Sequence, residues 1–475
     1  MINLKRIEIK NYRCFKSVTL DFGVENFFIG ENNTGKSSLL KLLDSLYKNK
    51  YLNFKDTYLS DYSLEDLQYD ISKPVEFLYY FTRPIDKGKE KNFFEYIELK
   101  NIDKYIYPLI TKFATVSLDH ENIVLFEIDY IYYEDSLKIK YIKIKEFIKP
   151  NFLSNKNIYN DIASLTKILN SEDHIILFDK EVNYKHDHND KTIRKNYEDI
   201  TLFFLNFSNL SLSFDILINL YSLNINKKDE KVGDLVERLH TQRSFPRNIH
   251  TKYLAPLRPI FKDYYSLKEL QNNKDLLFLL QLRKKKNILN EINSFFSKTG
   301  MLKEIKLEHE SSRLISELIS LQYENILKKG LKISISGTGV SQIIPILYEL
   351  YNAHNDKIFI EQPEVHLHPK AQAELGEIFA NYLFKNNLKK YLLRDQLFIE
   401  THSLHILDRL RFLIKKKLNE KEHKEDVGVS IFYLENKVNE VIVNTISINS
   451  SGKFNGNMEN FFKFFIDESI NNLEI

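Results

Sequence analysis

Gly30-Glu31-Asn32-Asn33-Thr34-Gly35-Lys36-Ser37-Ser38 fits the pattern G-x-x-x-x-G-K-[ST]. The apolar run Phe27-Phe28-Ile29 ahead of it reads as a strand, and Leu39-Leu40-Lys41-Leu42-Leu43 behind it reads as a helix. Strand, glycine loop and helix are the context a phosphate-binding loop needs. Gly30 and Gly35 allow backbone conformations that other residues resist, so the loop N–H groups and the helix N-terminus can face an anion. In that pattern Lys36 binds the β- and γ-phosphates and Ser37 offers its hydroxyl to Mg²⁺.

Length and composition set the frame. A chain of 475 residues holds two or three domains, or one core with a large insertion. A hydrophobic fraction of 43% and a charged fraction of 28% describe a soluble globular protein. A net charge of +3 gives no global field that argues for nucleic acid, although a local basic groove stays compatible with it. Cys14 is the sole cysteine, which excludes an internal disulfide and a cysteine-rich zinc site and suits a reducing cytoplasm. No signal peptide and no membrane-length apolar run is legible.

Outward from the loop, residues 2–10 and 18–22 alternate apolar and polar, which predicts two strands in a hairpin about Asn11-Tyr12-Arg13-Cys14-Phe15. A helix from Ser37 to Tyr47 and a strand over 75–81 follow. From 85 to 250 the pattern blurs, with strand-like runs at 123–133 and 137–148. Lys185-His186-Asp187-His188-Asn189-Asp190 reads as a solvated polar loop, and Tyr253 to Pro259 as a strand broken by prolines. Residues 266–329 read as helices: Leu314-Ile315, Leu318-Ile319 and Tyr323 recur at helical spacing, and Arg283-Lys284-Lys285-Lys286 reads as a solvated helix face.

Three later stretches supply candidate partners for the loop. Ser336-Gly337-Thr338-Gly339-Val340-Ser341-Gln342 is a second Gly/Ser turn opening an apolar helix, hence a second anion-binding end. Lys357-Ile358-Phe359-Ile360-Glu361-Gln362-Pro363-Glu364 is a buried strand delivering Glu361 at its C-terminal end, where α/β sheets bind ligands and a carboxylate can hold Mg²⁺. The following Val365-His366-Leu367-His368-Pro369 lacks a third metal ligand and reads as a structural loop. Leu397-Phe398-Ile399-Glu400-Thr401-His402-Ser403 is another such strand, with His402 placed to contact a γ-phosphate or orient a water.

This order resembles the ABC-type ATPase heads of the structural-maintenance-of-chromosomes and RecF-like superfamily, and more narrowly the bacterial ATPases related to the overcoming-lysogenization-defect (OLD) proteins. The resemblance rests on residues 7–15, Gly339-Val340-Ser341-Gln342, residues 360–369, and Glu400-Thr401-His402-Ser403, while residues 452–468 are similar to a short C-terminal module of one subset. It covers residues 1–83 and 251–475. It implies an α/β P-loop fold with a mixed sheet, N-terminal antiparallel strands and a large α+β and helical insertion. The expected divisions are an N-terminal lobe (1–84), the insertion (85–250), a helical subdomain (251–330), a C-terminal lobe (331–426) and a terminal hairpin and helix (427–475).

The resemblance also implies a mechanism. Two heads stack head-to-tail and sandwich ATP and Mg²⁺ between one phosphate loop and the other head's signature turn. Gly30, Asn32, Asn33, Thr34, Gly35, Lys36, Ser37 and Ser38, with Arg13 of the opening turn, would hold the nucleotide; Ser37 and Glu361 would serve the metal. Gly339, Ser341 and Gln342 would reach the partner's ATP, and His402 would be the switch histidine. The catalytic position after the metal acid, usually glutamate, is Gln362; an amide cannot take a proton but can position water, with Glu364 a replacement base. Slow hydrolysis and long-lived ATP-bound dimers are expected. After His402 about 70 residues remain, too few for an ordinary α/β nuclease domain. The expected function is therefore a cytoplasmic ATP-driven sensor or scaffold that controls a separate effector protein, a nuclease being one option, in bacterial defence against phage or plasmids. A RecF-like DNA-clamping ATPase and a hydrolysis-deficient ATP-binding module are the alternatives.

Overall fold

The computed structural model describes residues 3–48, 64–84, 90–100, 109–117, 122–133, 136–148, 167–170, 174–181, 250–312, 315–325, 330–353, 356–388, 395–418 and 427–456. Residues 185–190 and the expected closing helix lie outside them. The chain opens with β1 (Asn3–Tyr12), β2 (Phe15–Asp21), β3 (Glu25–Gly30) and α1 (Lys36–Lys48). After α2 (Leu64–Leu67) come β4 (Val75–Pro84), β5 (Glu90–Lys100), β6 (Leu109–Ser117), β7 (Asn122–Tyr133), β8 (Ser136–Ile148) and β9 (His174–Glu181). Next are β10 (His250–Leu254), β11 (Tyr264–Ser266), α3 (Leu267–Asn272), α4 (Leu277–Lys284), α5 (Lys286–Thr299), β12 (Glu304–Ser312), β13 (Ile315–Glu324) and β14 (Leu331–Lys332). The last part runs through α6 (Thr338–Asn352), β15 (Asp356–Glu361), α7 (Pro369–Leu388), β16 (Gln396–Glu400), α8 (Leu404–Leu418), β17 (Val429–Asn436), β18 (Val441–Ile448) and β19 (Phe454–Asn455).

The sheet that carries the glycine loop has the order β10-β15-β16-β3-β17-β18-β19. Its five strands from β10 to β17 run parallel, and β18 and β19 return antiparallel, so the sheet is mixed. Parallel strands are covered on both faces, which is why they read as unbroken apolar runs. On one face Phe27, Ile29, Ile358, Ile360, Leu397, Ile399, Ile431 and Tyr433 join the main core with residues of α6, α7 and α8. The other face is aromatic. Phe359 stacks on Phe398 at 4.7 Å, and Phe22 and Tyr47 of α1 pack against the same layer.

The second sheet has the order β2-β1-β4-β5-β6-β7-β8-β9, an antiparallel series of eight strands. Strand pairing crosses two of the expected divisions. The boundary at 84 falls between β4 and β5, which pair from Val75↔Leu99 to Pro84↔Glu90. The N-terminal hairpin and the first strands of the insertion are therefore one sheet. Likewise the boundary at 426 separates β17 from β3, its parallel neighbour in the central sheet.

The helical reading of 266–329 holds only to Thr299. Residues 315–324 form β13, antiparallel to β12. Ile319, Leu321 and Tyr323 are buried in alternation. The i, i+4 repeat of Ile315, Ile319 and Tyr323 also satisfies a period of two, and pairing with β12 selects the strand.

Candidate active site

β3, β16 and β15 are parallel, so Gly30, Glu400 and Glu361 emerge at the same edge of the sheet. The glycine loop begins there. Gly30 has φ 141°, and a Cβ on it would lie 2.0 Å from the carbonyl oxygen of Leu434 on β17. Gly35 has φ 84°, with the Cys14 sulfur where its Cβ would project. Both positions demand glycine for conformation and for space. Asn33 adopts φ 62°, a region asparagine tolerates, and it is exposed beside Asn32. Thr34 is buried and its hydroxyl donates 2.9 Å to the Glu31 carbonyl.

Lys36 is 4% exposed. Its Nζ donates to the carbonyls of Gly30, at 3.0 Å, and Glu31, which curls the side chain back over the loop. Burial lowers its pKa, and Glu400 and Glu31 oppose that shift. The opening turn, with Asn11 at φ 58° and Arg13 at φ 50°, brings Arg13 Nη1 to 3.1 Å from Ser38 Oγ. From the other side Asn436 Nδ2 donates 3.0 Å to Glu31.

Two acids flank this loop in different ways. The Ser37 hydroxyl donates 2.7 Å to Glu400 Oε2. Burial pushes the Glu400 carboxyl above the usual range; the Ser37 bond opposes this and Glu361 reinforces it. Glu361 lies one strand farther out, in register with Glu400, and accepts a hydrogen bond from the Tyr253 hydroxyl. The sequence reading gave Ser37 and Glu361 to the metal; the structure adds a direct side-chain bond from Ser37 to Glu400. The available signal was repetition, because Ile360-Glu361 and Ile399-Glu400 end two apolar runs alike.

Gln362 turns the chain with φ 44° while its N–H donates 2.8 Å to the Glu400 carbonyl. Glu364 is already engaged: it accepts from the Thr401 hydroxyl at 2.8 Å and from the His402 N–H at 2.6 Å. Burial raises its pKa against those two bonds. The His402 imidazole, lowered to about 4 by burial and then by Lys36, is neutral near pH 7. Ser403 caps α8 by accepting from Ile406 N–H. His366 and His368 are exposed, and among the described residues no group of three His, Cys, Asp or Glu is placed to hold a metal.

The signature turn splits into two parts. Gly337 and Thr338 are exposed at the start of α6. Ser341 and Gln342 are buried and bound within their own chain: Ser341 Oγ accepts from Phe261 N–H, and Gln342 exchanges two bonds with the Arg258 main chain. Gly339 is sealed from below, since a Cβ there would lie 2.5 Å from the His366 carbonyl oxygen. The structure thus gathers residues 30–38, Arg13, Glu361, Gln362, Glu364, Glu400 and His402 at one sheet edge, and sets Ser341 and Gln342 into packing.

The family of AAA ATPase domains matches residues 2–407. The chain belongs to that family. This AAA ATPase is also 24% identical over 85 residues to the OLD nuclease of Thermus scotoductus (strain ATCC 700910 / SA-01), a stretch covering 18% of this chain and 16% of that protein. Two solved structures are similar over most of their length. One is the SmcHead bound to the C-winged helix domain of ScpA, with TM-score 0.38, 12% identity, and coverage of 94% of this chain and 97% of that one. The other is the Smc head domain with an extended coiled coil bound to the C-terminal domain of ScpA derived from Pyrococcus furiosus, with TM-score 0.39, 12% identity, and coverage of 99% and 100%. The family is one of ATPase domains, which implies nucleotide binding.

The donor set of this AAA ATPase suits Mg²⁺, a hard cation that takes oxygen ligands from one or two carboxylates, waters and substrate phosphates. Ser37 Oγ, Glu400 and Glu361 are all oxygen donors at one edge. Burial raises the Glu400 pKa, and the fields of Glu361 and Glu364 add to it; a bound divalent cation would relieve that repulsion. No helix among the described residues is long and apolar enough to cross a membrane.

Proposed function

We propose that this chain is a slowly hydrolysing Mg²⁺-ATPase that dimerises head-to-tail on ATP. The observation that carries the reading is the Ser37–Glu400 hydrogen bond, which joins the glycine loop to the strand bearing His402. Lys36 and the loop N–H groups bind the β- and γ-phosphates, and Arg13 braces Ser38. Mg²⁺, when bound, would neutralise phosphate charge, and Ser37, Glu361 and Glu400 would hold it. His402, neutral, offers a hydrogen bond rather than a charge to the γ-phosphate.

Slow chemistry follows from the groups that flank the attacking water. Gln362 cannot accept a proton. Glu364 is a poor free base because Thr401 and the His402 N–H already occupy its oxygens. The same facts favour a second reading, an ATP-binding module that hydrolyses negligibly and only assembles a complex. The dimer reading draws on the exposed Gly337 and Thr338 at the N-terminus of a 15-residue helix, with Ile335 65% exposed beside them. Such an end suits the phosphates of a nucleotide on a second copy.

In this reading ATP-driven head closure is a signal to a separate effector in defence against phage or plasmids. That part rests on the partial likeness to an OLD nuclease alone. Phosphate release and solution mass, measured with and without ATP, Mg²⁺ and DNA on wild type, K36A and E361Q, test the whole. ATP-dependent doubling of mass with slow, Lys36-dependent turnover is expected. A monomer indifferent to ATP overturns the dimer, and turnover that appears only with DNA moves the chain to a DNA-clamping role.

A further inference from the structure

Arg258 lies four residues beyond the end of β10, in the proline-flanked stretch Ala255-Pro256-Leu257-Arg258-Pro259. It is 7% exposed, an unusual place for a guanidinium. Its Nη2 donates 2.7 Å to the main-chain carbonyl of Glu361, while Nε and Nη1 have no hydrogen-bond partner among the described residues. Burial lowers its pKa to about 10, against the fields of Glu364 and then Glu361, so it stays charged at neutral pH.

The main chain of the same residue is bound elsewhere. Its N–H donates 3.0 Å to Gln342 Oε1, and Gln342 Nε2 donates 2.8 Å back to its carbonyl. Three residues on, Phe261 N–H reaches Ser341 Oγ at 3.3 Å. One short segment therefore fastens the first turn of α6 to the end of β15. A leucine or methionine would fill the same space at lower desolvation cost. A charge left with two unpartnered nitrogens is costly in a buried setting, so packing alone gives no account of it. The acids around it explain the charge: Glu361 and Glu364 both act on Arg258, and Glu364 in turn grips Thr401 and His402.

We propose that Arg258 is a positioning residue for ATP hydrolysis: it ties the signature turn at 337–342 to the Glu361-Gln362-Pro363-Glu364 loop and holds Gln362 and Glu364 in place for the γ-phosphate. This rests on the ATPase reading of the site. Arg258 touches none of the reacting atoms; it acts through the Glu361 carbonyl and the field on Glu364. The unpartnered Nε and Nη1 give it capacity for a further acceptor.

The test uses the full chain as wild type, R258A and R258K, with K36A as control. Melting temperature, the Kd of a fluorescent ATP analogue and the phosphate-release kcat are measured for each. R258A is expected to lose kcat on the order of 10–100-fold, the usual cost of removing an outer partner of a metal-site group, with Kd changed by less than about threefold. R258K keeps the charge but not the fork and is expected to recover part of that kcat. Unchanged kcat in R258A, or parallel loss of binding and turnover, overturns the proposal. Should R258A fail to fold, R258K decides: turnover equal to wild type overturns it. If K36A itself keeps full hydrolysis, the ATPase reading of the site fails; if K36A is inactive and R258A is not, only the role of Arg258 falls.

Discussion

Ser37 and Glu400 are 363 residues apart in sequence and share a 2.7 Å hydrogen bond at the mouth of the glycine loop. Under the proposed function that contact would give Glu400 a share in the metal and phosphate chemistry that motif spacing alone does not assign. E400Q keeps shape and a hydrogen-bond acceptor but removes the charge. Turnover at saturating ATP is expected to fall on the order of 10–100-fold, with a higher Mg²⁺ requirement. A Mg²⁺ titration of phosphate release checks this; a curve superimposable on wild type would assign the metal to Glu361 alone.

In the proposed mechanism Gln362 stands where a proton acceptor would speed the chemical step. Q362E restores a proton acceptor beside the γ-phosphate and is expected to speed single-turnover hydrolysis without tightening ATP binding. Rapid turnover in the double variant Q362A/E364Q would remove both residues from the mechanism.

Glu364 also has a structural duty. E364A leaves the Thr401 hydroxyl, on a fully buried residue, and the His402 N–H without their acceptor. The expected loss is about 1–3 kcal/mol of stability, read from denaturant midpoints.

His402 gives a pH dependence with a definite sign. Its folded pKa is about 4 against an ordinary 6.5, so the unfolded chain binds the extra proton first. Its contribution to stability is full above about pH 6.5, declines as pH falls towards 4, and is flat below that. Raised carboxylates such as Glu364 and Glu400 slope the other way. The difference between wild type and H402Q isolates the histidine: H402Q is expected to lose less stability on acidification between pH 6.5 and 4.

Gly339 tests the seat of the signature turn. A methyl group there meets the His366 carbonyl oxygen at 2.5 Å. G339A is expected to push α6 away from the 366–367 segment and to lower the melting temperature, by an amount corresponding to roughly 1–3 kcal/mol. A variant with wild-type stability and ATP-dependent mass would show that this segment yields freely.

Much of this was written in the chain. The loop glycines, the strands ending in Glu361 and Glu400, and the helix opening at Thr338 are local patterns, and local patterns survive reading in one dimension. Lateral order does not. Nothing in Leu397-Phe398-Ile399 says that this strand lies between β3 and β15, yet that position gives Glu400, rather than Glu361, to Ser37. The same limit hid Arg258, whose neighbours come from α6 and β15. It also hid the pairing across the boundary at 84, since the strands on either side pair only through tertiary contacts. Ser341 and Gln342 show the converse: a motif marks them for a ligand, and burial gives their side chains to Phe261 and Arg258.

The position of β3 has a consequence for synthesis. Both of its neighbours, β16 and β17, are made late, with Asn26 bonding to Leu397 across 371 residues. The glycine loop leaves the ribosome long before either strand that flanks it. Its strand, apolar on both faces, must wait unpaired or be shielded by a chaperone during translation. Nascent chains arrested before β16 should therefore bind no ATP, because nucleotide binding waits for strands made long after the loop.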